Sequence, residues 1–386
     1  MHASVTSFLA AVAALVASAR PPSHEPSHEP SLEPTQAPSR APAQATWKHV
    51  IAPVELAYPR DHGAHPEYRS EWWYATGEVA AADGARFGVQ LTIFRQGLVA
   101  GAPLPGESPL RARQAFAGHL VIVDLGAGTT THAERSRRAV PGLAEASTTA
   151  LDVRLDGWSM RLDERGALRL DAADRATGMR IALELAPEKP LVLHGDGGVS
   201  AKGGASGNAS VYASWTRMRA RGTLAIAGRE RTVDGAAWFD HEYGTSALGA
   251  EVVGWDWFGL RLDDGRELML FRLRRADGSA DPESGGTLIA KDGSTRKLAL
   301  SRSSLETRAT WTSPRTKAVY PASFRLACPE EGLDLVVTTR AQDCELDTRA
   351  STGVVYWEGP VAVTGSVTGS GYAELTGYAG SIAKRF

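Results

Sequence analysis

The chain has 386 residues, and its 42 Lys and Arg nearly balance 44 Asp and Glu, for a net charge of −2. Basic residues are interspersed with acidic ones rather than gathered into a stripe, which argues against nucleic acid as a partner. No run is apolar for long enough to cross a bilayer, so stable membrane insertion is not expected.

Residues 1–19 read as a signal peptide. The apolar run 8–17 is too short for a span, and Ala17-Ser18-Ala19 is a small-residue cleavage site, although no Lys or Arg precedes the run. This predicts an exported protein, periplasmic or secreted. Residues 20–46 repeat Pro, Ser, His and Glu and then continue in Pro, Ser, Ala and Gln. Such a composition cannot bury enough apolar surface to offset its ordering entropy, so a disordered linker is predicted.

Beyond residue 46 helical periodicity is nearly absent. Alternating runs recur at 87–94, 118–124, 151–155, 159–162, 167–171 and 179–185, then at 255–262, 267–272, 323–327, 333–338 and 361–367. Asp83-Gly84, Asp156-Gly157, Asp264-Gly265, Asp277-Gly278 and Asp292-Gly293 punctuate them as turns. The prediction is an all-β protein of antiparallel barrel or sandwich type.

The pattern also occurs twice. Trp72-Trp73-Tyr74 followed by Asp83-Gly84 resembles Trp255-Asp256-Trp257 followed by Asp264-Gly265, which suggests domains at 47–245 and 246–386 that arose by duplication. Aligning Gly235 with Gly371 sets Asp240 and His241 against Thr376 and Gly377. On this alignment the second unit is an emptied copy, and the first is singled out as functional. The only cysteines, Cys328 and Cys344, leave one disulfide or two buried thiols equally open.

The densest chemistry is Trp238-Phe239-Asp240-His241-Glu242. Strand alternation puts Trp238, Asp240 and Glu242 on one face, with Phe239 and His241 on the other. Two carboxyls beside an indole favour a raised pKa and hence a proton donor; the competing reading is a charge cluster held by an Arg. Asp240, His241 and Glu242 are the candidate catalytic residues. Glu71-Trp72-Trp73-Tyr74, Tyr212, Trp238 and Trp257 are the candidate substrate-binding residues, since aromatic faces suit a polyene or a cation. No Gly-x-Ser-x-Gly elbow exists, which excludes an α/β-hydrolase. Asp240, His241 and Glu242 alone are too few for zinc, and no metal or cofactor is expected.

Six blocks in order carry a resemblance: Ser70-Glu71-Trp72-Trp73-Tyr74, the strand 90–95, Lys202 with 209–214, the strand 237–244, Gly254-Trp255-Asp256-Trp257-Phe258, and the strand 372–378. Together they resemble the AttH-type, lipocalin-like family that includes carotenoid 1,2-hydratase (hydroxyneurosporene synthase). The resemblance implies two lipocalin-like β domains with a cavity at their junction for a hydrophobic small molecule, isoprenoid or lipid-like. It also implies a hydratase-like activity, in which Asp240 matches the acid that protonates an isolated carbon–carbon double bond and Trp238 its neighbouring aromatic. The family's hydratases carry a His and an aromatic on the strand upstream, where this chain reads Tyr212-Ala213-Ser214-Trp215. The alternatives on the same scaffold are a non-catalytic periplasmic carrier of apolar ligands and a secreted hydrolase or cyclase.

Overall fold

The computed structural model describes residues 45–382 apart from 109–110, 246–247 and 250. The expected signal peptide and nearly all of the expected linker lie outside the described residues. The helical content among the described residues is three short 3-10 turns, and everything else regular is strand. No helix there is long and apolar enough to cross a membrane.

The first sheet contains β1 (Ser70–Ala81), β2 (Arg86–Gly97), β3 (Gln114–Asp124), β4 (Thr129–Arg138), β5 (Ala144–Ala146), β6 (Asp152–Leu155), β7 (Trp158–Leu162), β8 (Leu168–Asp174), β9 (Met179–Pro187), β10 (Val192–Leu193), β11 (Val199–Ala201), β12 (Ala209–Ile226) and β13 (Arg229–Gly244). The second contains β14 (Val252–Leu262), β15 (Glu267–Arg275), β16 (Gly285–Ile289), β17 (Thr295–Ala299), β18 (Ser304–Thr312), β19 (Val319–Cys328), β20 (Leu333–Thr339), β21 (Glu345–Thr348), β22 (Val354–Gly365) and β23 (Gly369–Thr376). A primed turn closes the β6–β7 hairpin: Asp156 and Gly157 both take left-handed φ, 51° and 85°, as a tight connection between twisted strands requires.

The first sheet runs β4-β3-β2-β1-β13-β12-β9-β8-β7-β6-β5, and the second runs β17-β16-β15-β14-β23-β22-β20-β19-β18. In each, the opening strand of the unit pairs with both the second strand and the last. Strands β3 and β4 approach β5 and β6, so the first sheet curls into a near-barrel, while the second is a half-barrel. This is the two-domain lipocalin-like architecture. Each sheet encloses its own core, with Trp73, Leu91, Trp158 and Phe239 in the first and Phe258, Phe324, Leu335 and Trp357 in the second. A third cluster of Tyr74, Tyr212, Trp238, Trp257, Phe271 and Tyr372 draws on both sheets. Cys328 and Cys344 are both free, buried thiols.

The register corrects the emptied-copy expectation. Tyr74 lies opposite Asp240, and its counterpart Trp257 lies opposite Glu374. Ser214 pairs with Asp240 as Glu358 pairs with Glu374, and Tyr212 pairs with Glu242 as Tyr356 pairs with Thr376. The structural counterpart of Asp240 is therefore Glu374, and the second unit keeps an acid. The sequence alignment slipped because glycine occurs twice in Gly369-Ser370-Gly371. Gly369 is the true match to Gly235, since Gly235 lies opposite Val79 and Gly369 opposite Leu262, the residues that follow Tyr74 and Trp257 at the same spacing. A slip of two residues preserves every side-chain face and so leaves the hydrophobic pattern undisturbed.

Candidate functional site

A cavity of about 210 Å³ opens between the two sheets. Its walls are aromatic and aliphatic, with Trp72, Tyr74, Phe94 and Tyr212 from the first domain and Trp255, Trp257, Phe271 and Leu273 from the second. Gly259 makes room for two of the indoles, because a Cβ there would meet the Trp257 ring at 2.6 Å and the Trp238 ring at 3.1 Å. The carboxyls of Asp240, Glu242, Glu358 and Glu374 also face this space.

Asp240 is only 3% exposed. Trp238 Nε1 donates to its Oδ1 at 2.6 Å, Tyr212 Oη donates to its Oδ2 at 3.0 Å, and Ser214 Oγ is in hydrogen-bond contact with Oδ1. Burial pushes the carboxyl up to about 7 against the pull of these three hydrogen bonds, and the nearby Glu242 charge adds to the rise. Among the described residues no arginine is bonded to it, so the clamped-charge alternative does not hold there for Asp240. Behind Ser214 stands His194, with Nε2 at 2.8 Å from Ser214 Oγ and Nδ1 at 3.0 Å from Thr287 Oγ1 of the second domain. Burial pushes His194 down to about 3, with Lys202 adding to the effect, so its imidazole is neutral. A neutral ring protonated at Nε2 donates to Ser214 Oγ and accepts at Nδ1 from Thr287, which leaves the Ser214 hydroxyl proton for Asp240 Oδ1.

Glu242 is held differently. Ser210 donates to it, and Lys202 Nζ lies 3.1 Å away. The ammonium sits 4.5 Å from the Phe271 ring centroid and 5.1 Å from that of Tyr212, which places a fixed positive charge in the cavity wall.

The second domain supplies a matching pair. Glu374 Oε1 accepts from Trp255 Nε1 at 2.9 Å and from Thr376 Oγ1 at 2.8 Å, and burial pushes this carboxyl up to about 7. Glu358 takes Tyr74 Oη on one oxygen and Gln90 Nε2 at 2.7 Å on the other. Burial, with the Glu374 charge adding, holds Glu358 well above the usual carboxyl range. His119, pushed down to about 3 by burial, backs Tyr356 at 2.8 Å as His194 backs Ser214.

The AttH-like family model matches residues 49–378. The chain belongs to the AttH-like family. A crystal structure of an AttH protein from Nitrosomonas europaea is 34% identical, covering 85% of this chain and 99% of that one, with a TM-score of 0.77. Kievitone hydratase from Nectria haematococca shares the fold at 15% identity, covering 87% of this chain and 97% of its own, with a TM-score of 0.63. No curated protein matches.

In this AttH-like chain the expected site residues separate by strand face. Asp240, Glu242, Trp72, Tyr74, Tyr212 and Trp257 line the cavity, and Trp238 packs behind Asp240, edge-on to Trp257. His241 and Trp73 do not reach the cavity: their rings stack with centroids 5.1 Å apart on the opposite face of β1 and β13. Grouping His241 with Asp240 and Glu242 followed chain adjacency, but adjacent strand residues point opposite ways. Glu71 borders the cavity, yet its carboxylate is bonded to Arg95 Nε at 2.7 Å, His241 Nε2 at 2.9 Å and His65 Nδ1 at 3.0 Å. Burial alone would raise Glu71, but Arg95 and the two imidazoles hold it well below the usual range. His65, Glu71 and His241 bring three ligand atoms within 4.8 Å of one another, but the Arg95 guanidinium already supplies the positive charge that Glu71 requires.

His194, Ser214, Glu358 and Glu374 were not among the expected site residues. Tyr356-Trp357-Glu358 and Tyr372-Ala373-Glu374 repeat the aromatic-x-acid spacing of Trp238-Phe239-Asp240, so a signal for the two glutamates was present. His194 left none, because it arrives from the end of β10, beside Tyr212 of β12. It brings an imidazole to the place where Tyr212-Ala213-Ser214-Trp215 has none.

Proposed function

We propose that this AttH-like protein is a hydratase-type enzyme that adds water across a carbon–carbon double bond of an apolar, isoprenoid-like small molecule held between its two domains. The observation that carries the reading is Asp240, a buried carboxyl poised near neutrality beside an aromatic cavity and backed by Ser214 and His194. A general acid works best when its pKa lies near the working pH, and the rings around it shelter a developing carbocation through their faces. The proton moves from Asp240 to the alkene carbon, the π pair forms the new C–H bond, and water captures the cation. We place the protein in the periplasm or outside the cell on its N-terminal sequence.

A carrier role is the second reading. It is favoured by the saturation of Asp240, both of whose oxygens are hydrogen-bonded within the protein. The test is incubation of the purified protein with a panel of prenylated phenols and acyclic terpenes in heavy-oxygen water, followed by mass spectrometry. Product carrying the heavy oxygen, lost in Asp240→Asn, supports the hydratase. Ligand binding without any product makes the protein a carrier.

A further inference from the structure

We propose that Glu374 is a second proton-transfer residue of the same cavity, the base that takes a proton from the attacking water while Asp240 acts as the acid. The proposal rests on the hydratase reading and adds a residue to it.

Three observations carry it. The register makes Glu374 the counterpart of Asp240, so the two carboxyls enter the cavity from corresponding strands of the two domains. Both hydrogen bonds that Glu374 accepts end on Oε1, and among the described residues Oε2 has no partner. Asp240, by contrast, has both oxygens engaged. Glu374 also keeps partial exposure, whereas its cross-strand partner Glu358 is 1% exposed.

The chemistry divides accordingly. Glu358, the more deeply buried of this cross-strand pair, is assigned the proton, because burial disfavours the charged form, and the carboxylate falls on Glu374. Water then attacks the cation, a C–O bond forms, and the departing proton bonds to Glu374 Oε2. Asp240 ends the turnover as carboxylate and Glu374 as acid. Proton exchange with solvent resets both, and the sum is alkene plus water giving alcohol.

The test uses Glu374→Gln, which keeps the Oε1 acceptor, with Glu374→Asp as a second variant that keeps a carboxyl. Each is assayed in deuterium oxide on an isoprenoid alkene that the unaltered protein hydrates, with thermal melting as the folding control. Loss of a general base predicts hydration about a hundredfold slower in Glu374→Gln. Deuterium should still enter the recovered alkene, because the cation forms and collapses back, and Glu374→Asp should recover part of the rate. Asp240→Asn should lose hydration and exchange together. Hydration at the unaltered rate in Glu374→Gln overturns the base role alone. Failure of the unaltered protein to hydrate any of the panel overturns the hydratase reading and the base role with it.

Discussion

The indole N–H of Trp257 donates to Tyr212 Oη at 3.0 Å, and Tyr212 donates in turn to Asp240 Oδ2 at 3.0 Å. Trp257 belongs to the second sheet and Asp240 to the first, so the acid's surroundings are completed across the domain boundary. Trp257→Phe keeps a ring between Tyr74 and Trp238, whose centroids lie 5.5 Å and 6.0 Å away, and removes only the donor. A single hydrogen bond is worth about 0.5–1.5 kcal/mol net, so kcat should fall roughly three- to tenfold with little change in KM. Steady-state kinetics on a hydrated alkene checks it.

Asp240 also sets a pH dependence of stability. Its folded pKa, about 7, lies above the ordinary aspartate value of 3.8, so between these limits the folded state holds a proton that the unfolded state has released. Stability from this group is therefore full below pH 4 and declines as pH rises through 7. The rise bounds the penalty at about 4 kcal/mol. Asp240→Asn should melt higher than the unaltered protein at pH 8 and nearly equal to it at pH 4, as read by calorimetry at both values.

Much of this fold was legible because the strands that build it alternate cleanly. Strand β8 reads buried and exposed by turns, and the same two-residue period correctly set Trp238, Asp240 and Glu242 against Phe239 and His241 on β13, where both faces are buried. Strand β4 was not legible: its sequence Thr-Thr-Thr-His-Ala-Glu-Arg-Ser-Arg-Arg is an edge whose side chains are all at least partly exposed, so no buried face imposes a period. Glu374 was hidden by a glycine pair two residues apart, a shift to which strand periodicity is blind. His194 was hidden because its partners Ser214 and Thr287 lie 20 and 93 residues away in the chain.

His241 separates structure from chemistry. His241→Phe keeps a ring on Trp73 and removes the hydrogen bond to Glu71, while Arg95 and His65 still hold that carboxylate. Loss of one hydrogen bond to a charged group predicts destabilisation of about 2 kcal/mol. Activity per folded molecule should stay within about twofold, because an interaction absent from the reacting cavity has no share in the barrier. Denaturant unfolding and kinetics on the same preparation test both halves; a large loss of kcat would return His241 to the reaction.

Ser214 joins Asp240 to His194, and the three should behave as one unit. Of the interactions that hold the Asp240 carboxyl down, the Ser214 hydrogen bond is the largest, so Ser214→Ala should move its pKa further upward. In the pH–rate profile the limb on which the acid must stay protonated should shift to higher pH. The rate at the optimum should fall about tenfold, because an acid whose pKa exceeds the working pH drives proton transfer less well. His194→Phe should produce a loss of similar size, since Ser214 then has no imidazole to orient its hydroxyl. The double variant should lose little more than either alone, because each change breaks the same chain, and a double-mutant cycle reads that coupling directly. Strictly additive losses would mean that His194 and Ser214 act on Asp240 by separate routes.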